Sequence, residues 1–285
     1  MAKLQLGLFD LNNLCKNPAI VIITKRGGGK TWVCRSLLEH FRNIPVGIII
    51  SHTENTDSFF KNFFPDAFIY NEYKTEIFNK VIQRQIMIKE KAEKYLKLGK
   101  KIDTRIFLLM DDCLSDSKTW TKDTAIKEIL FNGRHYDITY ILTMQAPLGI
   151  TPELRTNFDY VFLLYTDNFN EQKKFYEHYT GMFPSFGAFK EVYDEVTNDF
   201  GVMVIAKRAV GRNLTDKIFH YKAKKIDPTM IGCKQLISFH KANYDKDWLK
   251  RSVMTQFDVR TLLKKKNATP FTVEKIGVNG KVDYD

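Results

Sequence analysis

Six short apolar runs punctuate the chain, and each ends in polar or charged residues. Ile20 to Ile23 is continuous rather than alternating, as strands buried on both faces are. "PVGIIISHT" (45–53), "RIFLLMDDCL" (105–114), "ITYILTMQ" (138–145) and "YVFLLY" (160–165) read the same way, and "FGVMVIAKR" (200–208) is expected to close the sheet. Between them lie helical patterns. One follows Gly29 and sets Trp32, Val33, Leu37 and Leu38 on its apolar side. A long charged one runs from Lys74 to Lys97, with Ile77, Val81, Ile88 and Leu96 among its apolar positions and Gly99 as its stop. Thr121 to Arg134 and "NEQKKFYEHYT" complete the set. Strands alternating with helices predict an α/β fold with a mostly parallel, doubly wound sheet. In such sheets ligands bind beyond the carboxyl ends of the strands. The polar residues that terminate the runs are therefore where chemistry is expected.

Composition narrows this picture. The chain has 285 residues, 44% hydrophobic and 27% charged, in the range of an ordinary globular chain. No apolar run approaches the roughly 20 residues a membrane helix needs, so no membrane span is expected, and "MAKLQLGLFD" carries no signal-peptide core. Cys15, Cys34, Cys113 and Cys233 are scattered without a CxxC pair. They read as reduced thiols and not as a zinc site.

Charge adds a location. Between Lys207 and Lys266 stand sixteen Lys and Arg against five Asp and no Glu, a net +11 that equals the net charge of the whole chain. Two readings stand: a solvated basic face, or a surface for a polyanion such as nucleic acid. Phe219, Tyr221, Phe239, Tyr244 and Trp248 interleave with these cations at no regular spacing. They read as mostly core, which leaves the lysines, Lys264, Lys265 and Lys266 included, to meet a phosphate backbone without reading sequence.

The candidate chemistry begins where the first run ends. Lys25, Arg26, Gly27, Gly28 and Gly29 separate a strand from a helix, and Lys30 and Thr31 open that helix. A phosphate loop needs inward backbone N–H groups with a helix N-terminus behind them, and glycines allow the close approach. Lys30 would reach the β- and γ-phosphates of ATP, Thr31 would ligate Mg²⁺, and Trp32 completes the candidate nucleotide contacts. The usual motif begins with glycine; here Thr24 holds that place. It can pack under the loop if its φ stays negative.

Asp111 ends the "IFLLMDD" strand, placed to hold Mg²⁺ through water, and Asp112 is placed to orient or deprotonate the attacking water. An acidic pair that merely caps a loop is the plainer reading. Gln145 ends "TYILTMQ" and can hydrogen-bond both the γ-phosphate and water. Arg134, in "FNGRHYDIT", precedes that strand and would sit at the end remote from its own ATP. That suits an arginine finger given to a neighbouring subunit; a helix-terminal Arg meeting the dipole is the alternative. Arg155, in "TPELRTNFD", is the competing finger.

"KRGGGKT", "FLLMDDC", "GRHYDIT" and "ILTMQ", in this order, resemble the genome-packaging ATPases of large DNA viruses of the poxvirus and giant-virus type. These form the viral branch of the FtsK/HerA superfamily of P-loop DNA pumps. The similarity covers roughly residues 18–225. It implies a RecA-like core with an additional strand, a homo-oligomeric ring (hexamer or pentamer), and ATP-driven translocation of double-stranded DNA into a preformed capsid. Capsid or portal proteins would be partners, and the host cytoplasm or the virion the location. By position, Lys30 and Thr31 match the Walker A pair, Asp111 and Asp112 the Walker B pair, Gln145 the strand-end sensor, and Arg134 the arginine before that strand. The expected division is an ATPase core over 1–228 and a basic C-terminal extension over 229–285. Two other classes compete: a P-loop nucleotide kinase, against which the Asp111–Asp112 pair and Gln145 argue, and a DNA-binding scaffold whose ATP site has decayed, against which intact Lys30 and Thr31 argue.

Overall fold

The computed structural model describes residues 4–54, 58–113, 120–226, 229–245 and 247. An eight-stranded sheet forms its centre, in the order β3-β2-β4-β5-β1-β6-β7-β8. The strands are β1 (Ala19–Ile23), β2 (Val46–Ser51), β3 (Ile69–Tyr70), β4 (Ile106–Asp111), β5 (Ile138–Met144), β6 (Tyr160–Leu164), β7 (Val202–Ala206) and β8 (Ile218–Tyr221). β1 lies between β5 and β6 and pairs in parallel with both. β5 separates β1 from β4, with Ile106 opposite Ile138. β5 is thus the additional strand, inserted between the strand that feeds the glycine loop and the strand that ends in the two carboxylates.

β1 is apolar at every position because both faces of the sheet are covered. Ile20 and Ile22 pack with Val33, Leu37 and Leu38 of α1 (Lys30–His40), and also with Phe60, Phe63 and Phe64 from the turns after β2. Val21 and Ile23 face the opposite layer, built from α2 (Thr75–Leu96), α3 (Thr124–Asn132), α5 (Phe169–Tyr179) and α6 (Phe186–Val196). A short α4 (Pro152–Arg155) precedes β6, and another, α7 (Leu214–Lys217), precedes β8. Helix starts follow side-chain capping. Asp123 accepts from the Ala125 N–H at 2.8 Å, Asn168 from Asn170 N–H at 2.9 Å, and Ser185 from Ala188 N–H at 3.2 Å.

The sheet does not end where the apolar runs end. β7 pairs antiparallel with β6, Tyr160 facing Ala206, and β8 adds beyond it as the edge. The reversal follows from the connection. β6 to β7 contains two helices, α5 and α6, joined by ring contacts such as Phe169–Phe186 and Phe175–Tyr193. A single crossover helix returns the chain to the edge where a parallel strand begins; a pair returns it to the edge it left.

The chain divides into two compact units, Met1–Ala242 and Asn243–Asp285. Residues 229–242, expected to belong to the extension, pack on the core: Ile231 and Leu236 are buried, and Ile231 N–H donates to the Phe63 carbonyl at 2.8 Å. Leu236 belongs to α8 (Lys234–Asn243). No helix among the described residues is long and apolar enough to cross a membrane.

Candidate active site at the carboxyl edge of the sheet

The loop between β1 and α1 works through its glycines. Gly29 caps α1 in the left-handed region, at φ 91°, where a side chain would be strained. Gly28 faces Thr24: a Cβ added there would lie 2.0 Å from Thr24 Oγ1. Thr24 itself is buried, and positive φ among the described non-glycine residues occurs elsewhere. Its N–H donates to the Met144 carbonyl of β5 at 3.0 Å and its hydroxyl to the Lys25 carbonyl at 3.2 Å. Threonine in the first place of the motif therefore fits with ordinary backbone, its hydroxyl filling the space left by the missing Cβ of Gly28.

β4 and β5 deliver the acidic half. Asp111 is buried at the end of β4, and Asp112 turns immediately after it in the left-handed region, at φ 55°, which Asp tolerates better than most residues. Thr143, fully buried in β5, ties the two together. Its hydroxyl donates to Asp111 Oδ1 at 2.7 Å and accepts the Asp112 N–H at 3.0 Å. Lys30 Nζ lies 3.2 Å from Asp111 Oδ1 and 3.9 Å from Asp112 Oδ2. Burial opposes the Lys30 charge, but the two carboxylates outweigh it and hold the ammonium above its usual range. Gln145 Nε2 donates to both Asp112 oxygens at 2.7 Å. Lys30, Asp111, Asp112 and Gln145 thus meet around one cavity of about 650 Å³, whose rim is the glycine loop with Thr31, Trp32, Thr53 and Phe200. A second cavity of about 630 Å³ opens on the other side of Asp112 and Gln145, between Arg26, His52 and Glu171.

Lys25 turns away from the cleft floor to pair with Asp167 at 2.8 Å, its ammonium over the Tyr165 ring. Arg134 is not at this edge. It pairs instead with the buried Asp159 at 2.9 Å, beside the starts of β1 and β6. A carboxylate, and not the end dipole of a helix alone, is its partner. Arg155 is buried in α4, with 8% of its surface exposed. Of the basic stretch, Lys207 donates to the Arg155 carbonyl and Lys222 pairs with Asp199. Phe219 and Tyr221 pack against Phe9 and Phe162, whereas Phe239 is 56% exposed beside Phe68. Trp248, Lys264, Lys265 and Lys266 lie outside the described residues.

Sequence reasoning missed Thr143 and Asp159. A threonine two places before Gln145, at the carboxyl end of a buried and largely apolar strand, was the available signal for the first.

A glycine loop running from a central strand into a helix, its lysine held by an acidic pair one strand removed, defines a P-loop NTPase of the additional-strand type. Comparison with known proteins agrees. Residues 7–172 match the family model described as poxvirus A32 protein. Protein L437 of Acanthamoeba polyphaga mimivirus is 44% identical over 266 residues, 92% of this chain and 93% of that one. Protein 075L of Invertebrate iridescent virus 6 is 34% identical, over 85% of this chain and 92% of its own. Among solved structures, the genome packaging NTPase B204 from Sulfolobus turreted icosahedral virus 2, in complex with AMPPCP, superposes with a TM-score of 0.54 at 15% identity, covering 74% of this chain and 100% of B204. That last likeness is one of fold. The chain belongs to the poxvirus A32 protein family.

Proposed function

We propose that this chain is an ATP-driven translocase of double-stranded DNA that packages a viral genome into a capsid, at the site of virus assembly in the host cell. The observation that carries the reading is Lys30 poised between Asp111 and Asp112, with Gln145 on Asp112, all facing the cavity behind the glycine loop.

The residues fit Mg²⁺-ATP. Lys30 is a half-buried cation whose partners are two carboxylates of the same cavity. Phosphate oxygens offer it an alternative partner, which releases Asp111. Thr31 and Asp111 would hold the Mg²⁺, which when bound neutralises charge on the phosphate oxygens. The loop amides and the N-terminus of α1 bind the phosphates. Asp112 accepts the proton of the attacking water, or orients that water by hydrogen bonding. Gln145 fixes the Asp112 carboxylate through its amide N–H and keeps its carbonyl oxygen for the same water. The coherent acidic half argues against a decayed site, and the water-handling pair Asp112–Gln145 against a kinase.

Arg134 completes the site of a neighbouring subunit in a ring. It stands at the start of β5, about 23 Å of extended strand from the loop of its own chain. Its side chain is 44% exposed, whereas Arg155 is buried and would have to leave its packing to reach across an interface. The cations of the last third grip the DNA backbone, whose counterion release makes the affinity salt-dependent and indifferent to sequence.

Two variants test the site. Lys30→Ala loses ATP binding. Asp112→Asn keeps ATP binding while Mg²⁺-dependent turnover falls about 10³-fold. Turnover near wild type in either contradicts the assignment.

A further inference from the structure

Beside the phosphate cavity lies a second cleft of about 390 Å³ that the site described above does not use. It is lined by Gly29, Trp32, Val33, Phe200, Lys222, Ala223 and Lys225. Three of these residues, Gly29, Trp32 and Phe200, line the phosphate cavity as well, so the two spaces are continuous at the N-terminus of α1. Trp32 and Phe200 are large apolar side chains left 46% and 69% exposed. Exposure of that size on two neighbouring aromatics at the mouth of a polar cavity calls for an occupant.

Phe200 is held there against its own backbone preference. Asp199 and Phe200 are successive residues in the left-handed region, at φ 48° and 59°, in the short turn that leads into β7. Neither is glycine, and a bulky residue at such a φ is uncommon. Strain of this kind persists where surrounding contacts over-determine it, and it concentrates at ligand clamps. Two contacts do so here. Asp199 pairs with Lys222 at the end of β8, and the Phe200 ring lies over Gly29, where an added Cβ would be 3.5 Å from Phe200 Cδ1. On the other side the Arg35 guanidinium sits 5.7 Å from the Trp32 ring centre, which braces that ring from α1. The cleft therefore has aromatic walls fixed from β8 and from α1, and lysines 222 and 225 at its rim.

We propose that this cleft is the nucleobase subsite, in which Phe200 and Trp32 hold the purine ring of the nucleotide whose phosphates lie on the glycine loop, with the rim lysines beside its ribose and α-phosphate. The proposal rests on the reading of the loop as an ATP site and deepens it. It commits to a flat aromatic base as occupant because the cleft continues directly from the phosphate cavity and is walled by rings. Stacking on aromatic side chains is tolerant of base identity, so the subsite favours nucleotides over inorganic polyphosphate more than it favours one purine over another.

The experiment is isothermal titration of the full chain at fixed Mg²⁺ with three probes: a non-hydrolysable ATP analogue, the corresponding GTP analogue and inorganic tripolyphosphate. Wild type is expected to bind both nucleotides more tightly than tripolyphosphate. Phe200→Ala is expected to bind the nucleotides about tenfold more weakly, with tripolyphosphate unchanged, and Phe200→Tyr to restore nucleotide affinity. Phe200 is exposed, so its truncation opens no core cavity. Asp199→Ala, which releases the turn and spares the ring, is expected to weaken nucleotide binding in the same selective way. Wild type that binds tripolyphosphate as tightly as nucleotide, or Phe200→Ala that binds nucleotide as wild type does, overturns the base cleft and leaves the phosphate loop standing. Wild type that binds none of the three overturns both.

Discussion

The two edges of the sheet use the same residue types to opposite ends. At the amino edge, Asp159 is buried and saturated: it accepts the Ala19 N–H at 2.9 Å and Arg134 at 2.9 Å, with Arg208 at 3.8 Å. Asp137, just before β5, accepts from Asn17 at 3.0 Å and Thr104 at 2.7 Å, with Lys16 and Lys89 at 3.3 and 3.6 Å. Each of these carboxylates latches segments distant in sequence. At the carboxyl edge, Asp111 and Asp112 are adjacent in sequence, share one lysine, and face open cavities. Asp137 and Asp112 even share a left-handed backbone, at φ 56° and 55°. What separates the structural carboxylates from the proposed site pair here is that the first join segments of the protein's own chain while the second line open cavities.

Arg134 is the residue that breaks this division, because it is a latch at one edge of its own chain and a proposed catalytic group for its neighbour. Arg134→Ala is expected to lower turnover about 10³-fold, yet to cost only up to about 1 kcal/mol of stability, since the Arg134 side chain is half exposed and Asp159 keeps the Ala19 N–H and Arg208. Mixing Arg134→Ala with Lys30→Ala subunits should recover part of the hydrolysis, as one supplies the intact site and the other the finger. No recovery in an ATPase assay of mixed subunits removes the shared site.

Asp159→Ala sharpens the contrast from the structural side. It leaves the Ala19 N–H and two guanidinium groups without their buried acceptor, at a cost of about 3 kcal/mol in denaturant unfolding, with ATP affinity unchanged. Asp112→Asn should instead lose turnover while shifting stability by less than about 0.5 kcal/mol, because Asn also tolerates the left-handed region. The smallest effect concerns pH. Burial opposes the Asp137 charge, but Thr104, Lys89 and Lys16 outweigh it and depress its pKa below the usual 3.8. A depressed carboxylate contributes stability above its unfolded value and loses it as pH falls through the folded one. Wild type should therefore lose stability more steeply below about pH 4 than Asp137→Asn does.

The carboxyl edge was legible in the sequence because its parts are contiguous there. "IITKRGGGKT" spells strand, loop and helix, "FLLMDD" a strand and its terminal acids, and "ILTMQ" a strand and its amide. The latches were not, because their partners are distant: Arg134 and Asp159 are 25 residues apart, Asn17 and Asp137 120. β8 escaped for a related reason. "IFHY" is four residues long and its register is set by β7, not by its own pattern. The helix at Phe186–Val196 was not read from the sequence; its Phe189 and Tyr193 stack on each other and pack under β7, a partner distant in pattern. Nor does any letter announce that Phe200 adopts positive φ, and its ring lines the cavity behind the glycine loop.

The central claim is that the carboxyl edge hydrolyses ATP to move duplex DNA. It is tested most directly by the Mg²⁺-dependent ATPase rate of the full chain with and without long double-stranded DNA, for two duplexes of unrelated sequence. The account predicts hydrolysis that both duplexes stimulate equally, that falls away at high salt, and that is lost in Asp112→Asn. Hydrolysis indifferent to DNA, or phosphoryl transfer to an added nucleoside in place of water, would contradict it.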